Sequence, residues 1–463
     1  MDIGTTFTTY MQPIVDLGPL FLIFIVFSVI GLIVRLGLVK ALRNGLMIAA
    51  GFQGVYIIVD FFLAKVGPAA TALAERFGGV FTYTDIGWAA YAAFSFSAPI
   101  AYIIIVLSLA INLLMIVLNL TNTVNLNIWD TWETTCAALI VLGITGNVAA
   151  ALIFACMLLW VNLMMSDWYA FKGYPEKFYG FKGISFYQGF NVVWGLYGHW
   201  MAGILDKIPW TSQAKFTPEY VKERFGAIGE PAVLGGVIGA LMGIGAGFGV
   251  GQIVLLAIQL ATALVLLPMM SGIVMQALVP VSEAAASFMQ QRTKGRQVFI
   301  GVDPAIAVGH PAVLAVTVLM VPVMVGLAFI VPGAVNVPLA DLPALLFLWV
   351  FVAAPNKGDM LRTFITAITM GIIGTFLSIL VAPWLAMVAQ NSGIAQTTAQ
   401  ATSSFLHLNP DQLMGGLFGN GFASIGVAGI AAIVAVVILV TGAFRVRYNA
   451  AESRKVAAAA AAD

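Results

Sequence analysis

Long apolar stretches alternate with short polar segments along almost the whole chain. They cover residues 17–34, 45–64, 89–118, 134–165, 226–249, 252–279, 312–333, 341–354, 363–389 and 421–444. A helix of about 20 apolar residues crosses the hydrocarbon core of a bilayer. The strict alternation of a transmembrane β-barrel is missing. The pattern therefore predicts an all-α polytopic membrane protein with about eleven transmembrane helices.

Three interruptions refine this pattern. The segment GPAATALAERFG after residue 66 is too short and too polar to form a span of its own. The apolar stretch at 89–118 is longer than one crossing needs, which predicts a re-entrant arm within it. The sequence GITGN at 143–147 predicts a turn between two spans.

Composition strengthens the membrane assignment and excludes other classes. Of the 463 residues, 61% are hydrophobic and 9% are charged, whereas soluble domains carry about 25% charged residues. A net charge of +1 argues against a nucleic-acid partner. Cys136 and Cys156 lie inside apolar stretches, so we expect neither a disulfide framework nor a reactive thiol.

Basic residues predict the orientation of the chain. Arg35, Lys40 and Arg43 follow the first apolar stretch, and further lysines and arginines lie in the polar region 166–224 and in the C-terminal tail. Basic loops stay on the cytoplasmic side. We therefore expect the N-terminus outside, the C-terminus inside and an odd number of spans.

Two halves of the sequence share features. The pattern V-F-x-x-x-D ends at Asp85 and again at Asp303, and three proline pairs are each 212 residues apart: Pro19 and Pro231, Pro68 and Pro280, Pro99 and Pro311. An internal repeat with Gly- and Pro-interrupted segments is typical of transporters, whose substrate sites lie near the membrane midplane. We expect two repeats that meet around a polar site.

Asp85 and Asp303 are the first candidate substrate-binding residues. A carboxylate at bilayer depth costs several kcal/mol unless it is paired or hydrated, so such residues are usually functional. Aspartate is equally a favoured helix N-cap, and both roles are compatible at a hairpin tip. Trp88 follows Asp85 and offers a face for stacking on a sugar or polyol; an interfacial tryptophan is the alternative.

Four further candidates lie in polar stretches. Glu133 follows Asp130 at helical spacing in NIWDTWE, where a carboxylate pair can hold hydroxyls, although a loop-to-helix capping box has the same pattern. Glu133 is favoured because apolar residues follow it. Gln188 and His199 lie in SFYQGFNVVWGLYGHW, which suits either a polyhydroxyl ligand or an amphipathic interfacial helix. His310, seven residues after Asp303, is either a site residue or a packed histidine.

The segment APNKGDMLRT contributes the last candidate, Asn356. Motifs for nucleotide binding, metalloprotease chemistry and dithiol chemistry are missing from the sequence, and no nucleophile–base set is recognisable. We therefore predict no catalytic residue, no metal site and no cofactor, and whether the chain is itself an enzyme stays open.

An ordered set of motifs resembles the galactitol-type EIIC permeases of the bacterial phosphoenolpyruvate:sugar phosphotransferase system, within the ascorbate–galactitol superfamily. The motifs span about residues 16–370 and are GPAATALAERF, TDIGW, NLNIWDTWE, SDW, DKIPW, KERFGAIGEP, GVDPAIAVGHPA, the PG and DLP pieces at 332–343, and GDMLRTFITAI.

The resemblance implies a homodimer in the bacterial inner membrane, surrounded by lipid, with a core domain for transport and a V-motif domain for dimerisation. Two inverted repeats would each supply a re-entrant hairpin, and the core would move as an elevator. We expect the first repeat at 1–210 (V-motif 14–64, core 65–210) and the second at 211–400 (V-motif 225–279, core 280–390). The last helix and the basic tail would follow at 401–463.

The resemblance also implies the partners. Cytosolic EIIB would carry the phosphocysteine that phosphorylates the sugar alcohol, and EIIA would charge EIIB. Hairpin tips would hold Asp85 and Trp88 in one half, and Asp303 and His310 in the other. Galactitol-type members carry histidine at the positions of Glu133, Gln188 and Asn356, so a related polyol is as compatible as galactitol.

Two other functional classes remain open at the level of the sequence. In an ion-coupled secondary transporter, Asp85, Asp303 or Glu133 would be proton or sodium sites. The third class is a structural membrane protein without transport. The intramembrane acids and the internal repeat argue against it.

Overall fold

The structure is a computed structural model, and it describes most of the chain between residues 18 and 442. The described ranges are 18–77, 82–127, 130–189, 191–212, 216–217, 231–292, 297–338, 341, 344–392, 401–404, 408, 410–424, 426, 436–437 and 442. The predicted basic tail and most of the predicted last span lie outside these ranges.

Helices account for most of the described residues. The α-helices are α1 Gly18–Ile33, α2 Leu38–Phe77, α3 Gly87–Ser97, α4 Pro99–Val117, α5 Thr131–Thr145, α6 Val148–Phe171, α7 Val193–Leu205, α8 Pro209–Ser212, α9 Pro231–Gly245, α10 Val250–Arg292, α11 Pro311–Ile330, α12 Leu345–Ala353 and α13 Met360–Asn391. A π-helical turn covers Tyr174–Phe178, a 3₁₀ turn covers Pro304–Ala307, and residues 410–424 are helical.

Four of the described helices are long and apolar enough to cross a bilayer: α4, α6, α11 and α13. Shorter apolar helical segments lie in α1, α5, α9 and α10. The prediction of a largely α-helical membrane protein is therefore confirmed, whereas the number of about eleven spans stays a prediction.

The predicted turn GITGN is confirmed. Helix α5 ends at Thr145, and Gly146 adopts the left-handed conformation with φ 62°. The side chain of Asn147 then accepts a hydrogen bond from the amide of Ala150 and begins α6. Glycine after a helix and asparagine before the next one are the usual residues for these positions.

The long apolar stretch at 89–118 is divided into two helices. The backbone of Ala98 is extended, and Pro99 occupies the first turn of α4. Proline lacks the amide that an uninterrupted helix would need there. The division explains why this stretch exceeds the length of one span.

Residues 67–77, which begin the segment GPAATALAERFG, belong to a longer helix. Helix α2 continues through Pro68 to Phe77, so the expected boundary after residue 64 falls inside one helix. Helix α10 likewise continues past residue 279 to Arg292. Alanine-rich sequence after each proline favours continuation of the helix.

Short parallel strands connect distant parts of the chain. Strand β1 (Tyr83–Asp85) pairs with β5 (Ala401–Ser403). Strand β4 (Phe299–Val302) lies between β2 (Thr123–Asn125) and β3 (Ile184–Phe186). The amide of Tyr83 also donates to the carbonyl of Val335 at 3.0 Å. The sequence does not predict these strands, because three or four residues are too few to show an alternation.

Two groups of helices flank the strands. Helices α1, α2, α9 and α10 pack on one another, with Gly51 and Gly54 of α2 against Val274 and Met270 of α10. Helices α5, α6, α11 and α13 form a second group together with α4, α7 and α12, and in this group α4, α6 and α13 contact the strands. The strand ends therefore place polar residues inside the second group of helices.

Candidate functional site

The segment between β2 and α5 delivers two buried carboxyl groups. Asp130 occupies the N-cap position of α5, and Glu133 lies in its first turn, with exposures of 3% and 2%. The side-chain amide of Asn127 donates to the Asp130 carboxylate and, at 2.8 Å, to the carbonyl of Tyr187. These bonds hold the start of α5 against the segment that follows β3.

Glu133 is held by residues from the segment after β3. The amide nitrogen of Asn191 donates to both carboxylate oxygens of Glu133, at 3.1 and 3.0 Å. Gly189 has φ 43°, and a Cβ atom at this position would collide with the carboxylates of Glu133 and Asp411. Only glycine combines this left-handed conformation with such a close approach.

Asp303 reaches the same place from the other half of the chain. It follows β4, is 9% exposed and accepts a hydrogen bond from the amide of Ala305 at 2.7 Å. Its charge acts on both Asp130 and Glu133. Glu133 and Asp411 are within hydrogen-bonding range of each other. Together, Asp130, Glu133, Asp303 and Asp411 form what we term the carboxylate cluster.

Buried amide oxygens lie beside the carboxylate cluster. Gln188 Oε1, Asn191 Oδ1 and Gln412 Oε1 have no hydrogen-bond partner among the described residues. Such groups are nearly always paired in folded proteins, because an unpaired one costs about 1–3 kcal/mol. The site is therefore rich in hydrogen-bond acceptors and suits a ligand that brings several donors.

Carboxylate oxygens are also common ligands of hard cations. Within the described ranges, no group of three or more histidine, cysteine, aspartate or glutamate side chains has a geometry that could hold a metal ion.

Asp85 and Trp88 lie beside Asp341, and both are hydrogen-bonded to it. Asp85 accepts hydrogen bonds from the amide of Gly87 at 3.1 Å and from the amide of Asp341 at 3.2 Å. Asp341 in turn accepts from the amide of Trp88 at 2.7 Å and from the hydroxyl of Ser404. The N-cap of α3 is Ile86 rather than Asp85, whose carboxylate bonds to the amide of the first helical residue and to that of Asp341. The ring of Trp88 packs 6.0 Å from that of Trp132, next to Glu133.

His199 lies elsewhere, on the exposed side of α7. Its Nδ1 atom is 2.6 Å from the hydroxyl of Tyr174, and its Nε2 atom is 3.5 Å from the ammonium of Lys172. Its ring meets that of Trp168 edge-on at 5.7 Å. Burial and then the Lys172 charge lower the pKa of His199, so the imidazole is mostly neutral at pH 7.

His310 and Asn356 lie in a third polar region. His310 Nδ1 accepts a hydrogen bond from the amide of Ala312 and begins α11, while its ring packs 4.5 Å from Phe178. The fully buried amide of Asn356 donates to the carbonyl of Val352 and the hydroxyl of Thr366. Asn356 Oδ1 has no partner in the described part of the chain.

The structure thus brings Glu133 and Asp303 together, with Gln188 directly before Gly189 at the same place. The sequence favours Glu133 over Asp130, although their i, i+3 spacing predicts that both lie on one face of a helix. Asn191 stood in the same polar stretch as Gln188. Asp411 and Gln412 had no such signal, because they end a long polar segment that reads as a loop.

The chain is similar to known proteins over most of its length. Residues 13–403 match the family described as the PTS system sugar-specific permease component. A protein named "Putative permease IIC component" from Escherichia coli (strain K12) is 30% identical over 92% of this chain and 96% of its own length. The "PTS system galactitol-specific EIIC component" of the same organism is 29% identical over 78% of this chain and 80% of its own length.

Proposed function

Because the chain belongs to the sugar-specific permease (EIIC) family of the phosphotransferase system, we propose that it imports an uncharged sugar alcohol, galactitol or a related polyol. The resemblance found in the sequence is confirmed, and the chain is a multi-pass protein of the inner membrane. The choice of polyol, the transport mechanism and the residues involved are proposals.

The observation that carries the substrate class is the excess of acceptors in the buried site. Each hydroxyl of a polyol brings one donor, and carboxylates bind such donors by charge-assisted hydrogen bonds. The free oxygen of Gln188 adds a neutral acceptor. An anionic sugar acid would be repelled by Glu133 and Asp303, whereas a neutral polyol is not.

The proposed binding residues are Glu133, Gln188 and Asp303, with Trp88 stacking from the side of Trp132. Asp85 holds the start of α3, and Asn356 and His310 lie at the third polar region, where they would meet substrate at another stage of transport. His199 is the least supported candidate, because its contacts are at the exposed side of α7.

We propose further that two inverted repeats build this site. Helices α2 and α10 begin 212 residues apart, as do α6 and α13. In both sheets the strands pair across the two halves of the chain: β1 pairs with β5, and β4 pairs with β2 and β3. Crossed pairing of this kind would let the core move as one body, as an elevator requires, with α1, α2, α9 and α10 in the V-motif domain of a homodimer.

Transport is coupled to phosphorylation by the cytosolic partner. A phosphorylated polyol is anionic, so the carboxylates that bound it would repel it after transfer. The phosphoryl group would come from a cysteine of EIIB, which is in turn charged by EIIA. The buried position of Cys136 is consistent with a donor cysteine outside this chain.

Vesicle uptake tests the proposal. Right-side-out vesicles are loaded with EIIA, EIIB, the general phosphotransferase proteins and phosphoenolpyruvate, and radiolabelled galactitol, mannitol, sorbitol or xylitol is added outside. We expect accumulation of a phosphorylated polyol that requires EIIB and survives a protonophore.

The alternative class makes the opposite prediction. An ion-coupled secondary transporter would accumulate unphosphorylated polyol when only an ion gradient is imposed, and uptake would collapse with the protonophore. That result would contradict the proposed function.

A matched pair of variants, Asp303→Asn and the exposed control Ser212→Ala, distinguishes loss of polyol binding from loss of folded protein in the membrane. We expect reduced uptake in Asp303→Asn and unchanged uptake in Ser212→Ala.

A further inference from the structure

The helix at residues 410–424 begins beyond the region that matches the family, which ends at residue 403. Its first residues are nevertheless buried. Asp411 is 2% exposed and Gln412 is 1% exposed. Polar residues at the start of a peripheral helix would be expected to face water or headgroups, so their burial needs a reason.

Close packing fixes this helix against α5 and α6. Gly415 lies against the backbone of Ala137, and Gly419 lies against Ile144, so one face of the helix touches α5 along its length. The ring of Phe418 packs 5.1 Å from that of Phe154 on α6. Small residues four positions apart allow helices to approach closely within a membrane. Asp411 and Gln412 are therefore held rigidly beside the first turn of α5.

Asp411 completes the carboxylate cluster. It lies within hydrogen-bonding range of Glu133, and a bond between two carboxyl groups requires a proton on one of them. Gly189 brings its backbone against both side chains. The Glu133–Asp411 pair therefore offers one donor and several acceptors in a fixed geometry.

Gln412 supplies an independent indication of a ligand. Its side chain contacts the thiol of Cys136 on α5, and that thiol also interacts electrostatically with Asp411 and Glu133. Its Oε1 atom is buried and has no partner in the part of the chain that the structure describes. A buried acceptor without a donor is uncommon in folded proteins, so this oxygen suits a hydroxyl group of a bound ligand.

We propose that Asp411 and Gln412 are specificity-determining residues that bind polyol hydroxyls, so that the helix at 410–424 is part of the substrate site. This inference rests on the proposed function and extends it. In a polyol the hydroxyls point in directions set by each stereocentre, and a rigid donor–acceptor pair at one end of the site distinguishes epimers. Loss of a hydrogen bond to a charged group typically changes affinity about tenfold or more.

Direct binding to the purified full-length chain in detergent tests the inference, with radiolabelled galactitol, mannitol, sorbitol and xylitol as probes. Asp411→Asn and Gln412→Leu keep the side-chain size. We expect each to weaken binding of the preferred polyol about tenfold or more and to change the ratio of affinities for galactitol and its epimers. Ser424→Ala, an exposed position on the same helix, should bind as the wild type does.

The outcomes distinguish a wrong role for the helix at 410–424 from a wrong polyol substrate. If the wild type binds a polyol and both variants keep its affinity and epimer ratio, the role of this helix is wrong and the proposed function stands. If the wild type binds none of the four probes, the proposed polyol substrate is wrong, and the inference falls with it. Because a misfolded variant would mimic loss of binding, each variant must keep the wild-type melting temperature and elution volume.

Discussion

A single glycine controls the geometry at the residue scale. Gly189 combines φ 43° with direct contact to the Glu133 and Asp411 carboxylates. We expect Gly189→Ala to lower the free energy of unfolding by about 1–3 kcal/mol, because the added Cβ needs a strained backbone and displaces a buried carboxylate. Polyol binding should be lost. Thermal unfolding and equilibrium binding measure the two effects.

Gly203 is the matched control for that substitution. A Cβ at Gly203 meets no atom within 4 Å, and the position is helical. Gly203→Ala should leave binding unchanged and stabilise the chain slightly, since alanine is the better helix former by about 0.5–1 kcal/mol. Equal behaviour of the two variants would contradict the steric role of Gly189.

At the scale of elements, Asp341 joins segments that are far apart in sequence. It accepts from the amide of Trp88 in α3 and from Ser404 after β5, while its own amide donates to Asp85. Asp341→Ala leaves the Trp88 amide unpaired, which costs about 1–3 kcal/mol. We expect a lower melting temperature, with the polyol affinity of the folded protein within about twofold of the wild type.

Ser212→Ala serves as the control here, because its exposed hydroxyl donates to the carbonyl of Pro209, three residues earlier on the same short helix. Exposed changes of this kind stay within about 0.5 kcal/mol. If Asp341→Ala lost polyol binding at temperatures where it is folded, the Asp85–Asp341 pair would belong to the substrate site rather than to the scaffold.

For the whole molecule, the orientation in the membrane is the open prediction. The exposed Lys207 lies in the basic region between α7 and α8, which the positive-inside rule places in the cytoplasm. In a chain with Cys136 and Cys156 replaced by alanine, Lys207→Cys should react with an impermeant maleimide in inside-out vesicles only. The cysteine-free parent should stay unlabelled in both preparations, and labelling in right-side-out vesicles would reverse the orientation.

Much of the architecture was readable from local patterns. Apolar length predicted the membrane class, and GITGN predicted the turn between α5 and α6, because a left-handed glycine and an asparagine cap act within a few residues. The continuation of α2 through Pro68 could not be predicted, since a glycine–proline pair usually ends a helix. The short strands were missed because their partners lie in distant sequence.

The candidate site divides in the same way. The chemistry of Glu133 and Asp303 followed from the cost of placing carboxylates in an apolar chain, and the motif set around them was enough to identify the family. The sequence could not distinguish capping from ligand binding at Asp85, because one aspartate side chain is suited to both.

The sequence by itself determined the membrane class, the family and the kinds of side chain available for binding, since each depends on composition or on short motifs. Only the tertiary structure decided that Asp130, Glu133, Asp303 and Asp411 meet at one place. These residues lie up to 281 positions apart (411 − 130), and their meeting depends on parallel strand pairing and on helix packing. Such contacts are set by the fold as a whole, so no local pattern records them.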